Sequence, residues 1–213
     1  METVLDVERA AAWSRTRRKA LGASLIAAAV AQTAAGVLHP EDSPVGMVQS
    51  VWVPIHTVFF LTLFVGLLGV IHIYGLISGK SGWVALATVV LFAFGIVGFE
   101  GLMLLEVGVL PVLAGSEATI GLLEMTGPLF AGPLGGWLIV IAVAFSVGSI
   151  AFGLMLRSSG LPKWAGPLLV AAPLFAFSPP IPLAIAKVGL VIYGVGFVGL
   201  GWGLWQLGAQ RRA

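Results

Sequence analysis

The chain has 213 residues, of which 59% are hydrophobic and only 9% charged, with a net charge of +2 and no cysteine. A soluble domain carries roughly a quarter of its residues as charged side chains, so this composition cannot cover a globular surface with polar groups. The missing cysteines exclude disulfides, thiolate metal centres, iron–sulfur clusters and cysteine catalysis.

Apolar stretches of about 17–25 residues, each long enough to span about 30 Å of hydrocarbon, recur along the whole chain, and the lipid bilayer is the expected partner. Residues 1–19 form a polar leader in which Leu5 and Trp13 alternate with Asp6, Glu8, Arg9 and the cluster Arg15, Arg17, Arg18 and Lys19. That pattern reads as a short amphipathic helix on the cytoplasmic surface. The small residues from Ala31 to Gly36 loosely resemble a signal-peptidase site, but the apolar stretch 20–38 is long enough to remain as a first span. His39-Pro40 and the following Glu41-Asp42-Ser43-Pro44 end it, because proline cannot continue a helix.

A second span is expected over 51–77, with Trp52 and Tyr74 near its two ends, where amphipathic rings favour the headgroup region. Ser78-Gly79-Lys80-Ser81-Gly82 reads as a tight turn, and a third span covers 83–106. Residues 107–133 contain no basic side chain and read as an external loop with a short interfacial helix. A fourth span is expected over 134–156. A short fifth, 164–177, carries Pro167 and Pro173, which free backbone carbonyls and predict a kink. Ser178-Pro179-Pro180-Ile181-Pro182 turns the chain into a sixth span over 183–207, followed by a cytoplasmic tail, 208–213. The expected fold is therefore all-α, a polytopic bundle of six spans with both termini cytoplasmic, in a prokaryotic plasma membrane.

The distribution of charge supports this partition. Arg9, Arg15, Arg17, Arg18, Lys19, Lys80, Arg157, Lys163, Arg211 and Arg212 all fall on the side shared by the termini, as basic residues do on the cytoplasmic face. Lys187 is the exception.

The 29 glycines form no GxxxxGK[ST] phosphate loop, and the basic residues form no aromatic-studded face for nucleic acid. In the sixth span Gly189, Gly196 and Gly203 recur every seven residues, and Gly199 with Gly203 makes a GxxxG pair. This face reads as helix packing, with a second copy or a membrane partner as the alternative occupant.

Ionisable side chains within a span cost about 2.5–3.5 kcal/mol at the bilayer centre on insertion scales. His56, Glu100 and Lys187, on three different spans, fall in one layer about 6–9 Å below the external boundary at 1.5 Å rise per residue. His39, Glu41 and Asp42 lie just above that layer, and Glu106 closes the third span at the same surface as an exposed carboxylate. His39, Glu41, His56 and Glu100 are the candidate ligands of an outward-facing polar site, with His39, His56 and Glu100 as the set for a divalent metal. Lys187 is the candidate ion-pair partner of Glu100. His39 and His56 could instead hold a single outer haem, whereas His72 has no histidine partner for a second one. Ser146 and Ser149 lack a GxSxG setting and read as structural hydroxyls.

The first functional reading is thus a polar intramembrane site for a metal, haem or small ligand. A non-catalytic accessory subunit using the glycine face is the second. A small proton-coupled transporter is the third, although the two halves share no matched motif of the kind inverted repeats leave.

Overall fold

The computed structural model describes residues 4–124, 127–176 and 183–210. Among them every regular element is helical: α1 (Val4–Leu38), α2 (Pro44–Met47), α3 (Trp52–Gly108), α4 (Leu110–Ala114), α5 (Pro133–Met155), α6 (Ala165–Ala176) and α7 (Leu183–Ala209). Single 3-10 turns cover Ile120–Leu123 and Leu156–Ser158.

Five stretches among the described residues are long and apolar enough to cross a membrane: Ser14–Leu38, Trp52–Ile77, Gly82–Gly108, Pro133–Ser158 and Ile185–Ala209. They coincide within a few residues with the expected spans, except that the leader is not a separate element but the first turns of α1. The expected fifth span differs. Its helix, α6, has 12 described residues, about 18 Å at 1.5 Å per residue, and the turn expected at 178–182 lies outside the described residues, as do 211–213.

The second and third spans form one helical hairpin. Helical hydrogen bonding persists through most of the expected turn, and the reversal is confined to Gly82, at φ 48° and ψ −122°. A residue with a Cβ avoids that conformation, so glycine alone lets two long helices meet there. The arms Trp52–Ile77 and Gly82–Gly108 then run side by side.

Small residues set the remaining contacts. Gly22 packs on the main chain of Gly201 and Trp205, Gly194 on Thr33 and Ala29, and Gly208 on Arg15 and Lys19. α1 and α7 are therefore antiparallel, and the last turn of α7 lies beside the basic cluster of α1. A Cβ on Gly22 would stand 2.5 Å from the Gly201 carbonyl oxygen, and one on Gly201 would stand 2.6 Å from that of Gly22. Where hydrocarbon surrounds the bundle, such backbone approach replaces the hydrophobic effect as the source of association. Gly95 and Gly148 seat α5 against the second arm of α3 in the same way, and Gly153 and Gly166 join α5 to α6.

Three of the four glycines read as a possible partner face are occupied within the chain. Gly196 meets Leu168 and Leu169, Gly199 meets Trp164 and Ala165, and Gly203 meets Leu161 and Pro162. Residues 161–169, the turn before α6 and its first turns, fill the groove that the absent side chains leave. Gly189 lines a cavity instead. The same contacts show α6 running antiparallel to α7, from the level of Gly203 at Pro162 toward the level of Leu190 at Pro173, which share the wall of that cavity.

Of the two prolines expected to kink α6, only Pro173 is interior. Pro167 sits in the first turn, where its missing N–H would have had no helical acceptor. Pro173 leaves the carbonyl of Leu169 without its i+4 donor, and the buried Ser149 hydroxyl of α5 donates to it at 2.9 Å. Between the second arm of α3, α5 and α7, the rings of Phe92, Phe145, Phe152, Tyr193 and Phe197 form a continuous aromatic core with centroid spacings of 4.8–5.5 Å.

Two measurements check this packing. Gly22→Ala, whose methyl meets backbone, should lower the unfolding midpoint in detergent, whereas Gly75→Ala, with no atom within 4 Å of the new Cβ, should leave it unchanged or raise it. Ser149→Ala should destabilise the protein by about 1 kcal/mol, the scale of interhelical hydrogen bonds in membranes, as read by denaturant titration.

Candidate functional site

The chain leaves α1 at Leu38 and folds a short cap over the end of the bundle. The Ser43 hydroxyl accepts from the Gly46 N–H at 3.2 Å and starts α2, with Pro44 in the first turn, where no N–H is needed. Met47, Trp52, Leu110, Ala114 and Leu123 bury one another beneath this cap. Trp52 was expected at the headgroup interface but is completely buried. It is a strap: its indole N–H donates to the Glu106 carbonyl at 2.8 Å, tying the start of the first arm to the end of the second.

Trp52 also holds the next residue of the site. The carbonyl of Trp52 lies 2.8 Å from Nδ1 of His56. A carbonyl can only accept, so Nδ1 carries a hydrogen and the reactive lone pair is directed to Nε2. His39 is arranged in the same way, with Nδ1 2.6 Å from the Pro40 carbonyl. The two Nε2 atoms face each other at 3.0 Å, and Oε2 of Glu106 stands 2.7 Å from Nε2 of His56.

With hydrogen on each Nδ1, both Nε2 atoms and the Glu106 carboxyl oxygen present lone pairs toward one another. Burial pushes His39 below its ordinary pKa, against the opposing pull of Asp42. His56 is only 1% exposed, and the buried Glu106 Oε2, 2.7 Å from the imidazole, makes no well-aligned hydrogen bond. The rings stack in a small aromatic box, with His56 4.2 Å from Trp52 and both histidines 5.8 Å from Phe59 by centroid.

Of the residues proposed from the sequence, His39 and His56 lie together, and the carboxyl group beside them belongs to Glu106. No ion pair or hydrogen bond joins Glu100 to either histidine among the described residues; it is half-buried, and its Oε1 has no partner. Lys187 does not pair with it, because Lys187 Nζ donates to the Val37 carbonyl at 2.8 Å. Glu41 is exposed. Asp42 Oδ1 lies 3.8 Å from His39 Nε2. Glu106, expected to be exposed, is the partner. A hairpin reversed at Gly82 sets His56 opposite the last turn of the second arm, which contains Glu106, while Glu100 lies almost two turns further down.

Haem does not fit, since nitrogens 3.0 Å apart in hydrogen-bonding contact leave no space for an iron and its macrocycle. Among the described residues, no group of three or more His, Asp and Glu side chains is already spaced to hold a metal ion.

A cavity of about 230 Å³ opens beside the cluster, between α1, both arms of α3, α5, α6 and α7. Phe59, Met103, Phe145 and Leu190 give it apolar walls, and His39, Asp42 and Lys187 stand at its outer end. Gln32 and Tyr193 also line it, and by helical rise they lie about 9–10 Å deeper.

The bundle's apolar outer faces and its five membrane-length helices define the class: an integral membrane protein. Comparison of the chain with protein-family models, with curated proteins and with solved structures gives no match.

The two carboxylates should respond oppositely to removal. Glu106→Leu takes away the carboxyl group 2.7 Å from the buried His56 Nε2 and should lower stability, by about 3 kcal/mol at the lower end for breaking a buried pair. Glu100→Leu removes an unpaired carboxylate and should leave stability unchanged or raise it. Denaturant titrations of the two variants in detergent give the comparison.

Proposed function

We propose that this protein crosses the bilayer six times, with both termini cytoplasmic, and binds a small amphiphilic ligand in an outward-facing site. The six-crossing reading is supported by parity. The antiparallel pairing of α1 and α7 sets the beginning of the first span beside the end of the last, as an even number of crossings would. α6, running opposite to α7, is the sixth crossing in this reading. The cytoplasmic assignment follows the basic residues around Arg15–Lys19, Arg157 and Lys163.

The observation that carries the binding reading is the asymmetry of the cavity. Ligand sites are concave and mostly apolar, with a few convergent polar groups that fix orientation. Here five helices contribute apolar walls, and a cation, an imidazole and a carboxylate gather at the outer end. A ligand would place its apolar body among Phe59, Met103, Phe145 and Leu190 and its polar end beside His39 and Lys187. Its volume of about 230 Å³ is below the roughly 300–1,000 Å³ of drug-sized sites, which points to a compact molecule or a single short chain. The glycine face that motivated the accessory reading is filled by α6, so no observation favours that alternative.

Organic extraction of the purified protein followed by mass spectrometry should recover a small amphiphile in stoichiometric amount. Ala172→Phe, which puts a ring into the cavity from α6, should abolish its recovery while the protein still elutes as a folded species. An extract whose composition is the same for wild type and Ala172→Phe would refute the reading.

A further inference from the structure

We propose that His39, His56 and Glu106 are a binding site for one divalent transition metal of the zinc type, bound between the two Nε2 atoms and the carboxyl oxygen. The inference is independent of any ligand in the cavity and rests on how the donors are already oriented.

Metal-ligating histidines characteristically donate their second ring N–H to a carbonyl or carboxylate, which fixes the tautomer and aims the other nitrogen at the metal. Both histidines meet that condition through main-chain carbonyls, Pro40 for His39 and Trp52 for His56. Trp52 is itself pinned to the Glu106 carbonyl, so the orienting shell links all three donors. Two imidazole nitrogens and a carboxylate oxygen are the donor set that suits zinc and its neighbours, in contrast to the all-oxygen sites of calcium and magnesium.

The spacing requires only a small opening. With metal–nitrogen bonds of about 2.0–2.1 Å and tetrahedral angles, two Nε2 atoms lie about 3.3 Å apart; here they are 3.0 Å apart. Glu106 Oε2, now in direct contact with His56 Nε2 at 2.7 Å, must withdraw by roughly half an ångström on the same geometry. Its flexible side chain, in the last turn of an arm, can make that movement. As they stand, the three groups are not spaced to hold a metal ion. A water or Asp42, whose Oδ1 is 3.8 Å from His39 Nε2, can take the fourth position.

The metal accepts one lone pair from each Nε2 and one from the carboxyl oxygen, while the hydrogens on both Nδ1 atoms stay with their carbonyls; any proton held on a donor atom leaves to solvent. The segment after α1 and the two arms of α3 are then joined by coordination bonds.

The test is calorimetric titration of the full chain in detergent with zinc chloride. Wild type should bind one equivalent. His56→Ala should abolish binding, and Glu106→Gln, which keeps the shape and hydrogen-bonding capacity of the side chain, should weaken it by at least about tenfold, as loss of supporting groups does at known sites. Glu100→Gln and Lys187→Met should bind as wild type. Absence of binding to folded wild type, or binding that survives unchanged in Glu106→Gln, would overturn the proposal. Ala172→Phe should retain zinc binding, so failure of the cavity reading and failure of this one are separable.

Discussion

Hydrocarbon offers no hydrogen bonds, and a buried polar group left without a partner costs several kcal/mol. The organisation of this bundle follows from that constraint. The Leu169 carbonyl released by Pro173 takes the Ser149 hydroxyl, the Thr33 hydroxyl returns to the Ala29 carbonyl at 2.7 Å, and Lys187 reaches the end of α1 at Val37. At the outer end of the hairpin the same demand gathers two imidazoles, a carboxylate and an indole into one connected set. Polar side chains appear sparingly in the sequence, and those that are buried almost all bind one helix to another or to its own backbone.

The positions of five long helices were legible because a span announces itself by composition alone. Partner choice was not. His56 and Glu106 are 50 positions apart, and only the exact place of the reversal at Gly82 decides which carboxylate a given histidine meets. The expected turn allowed several registers, and a shift of a few residues exchanges Glu106 for Glu100. Trp52 was misread for a related reason. An aromatic residue near a span end usually marks the lipid interface, but here Met47, Leu110, Ala114 and Leu123 close over it, and that folding depends on contacts between segments distant in sequence. The glycines of α7 carried a correct statement about close packing and no information about whether the neighbour belonged to the same chain.

The cavity and the cluster share His39, at the point where α1 ends and the cap begins. His39 touches His56 on one side and lines the cavity on the other. Occupation of either place therefore bears on the other through one ring, whose Nδ1 is held by the carbonyl of the adjoining proline. A residue shared in this way couples the two places.

Ser149 and Pro173 also bear on how the chain enters the bilayer. On its own, α6 would be a short, proline-interrupted segment that presents the bare Leu169 carbonyl to lipid tails. Beside α5 that carbonyl is already satisfied, and Gly153 and Gly166 let the two backbones touch. The physical unit of insertion in this half of the protein is accordingly the α5–α6 pair delivered together, with a serine on the first helix making the second one soluble in fat.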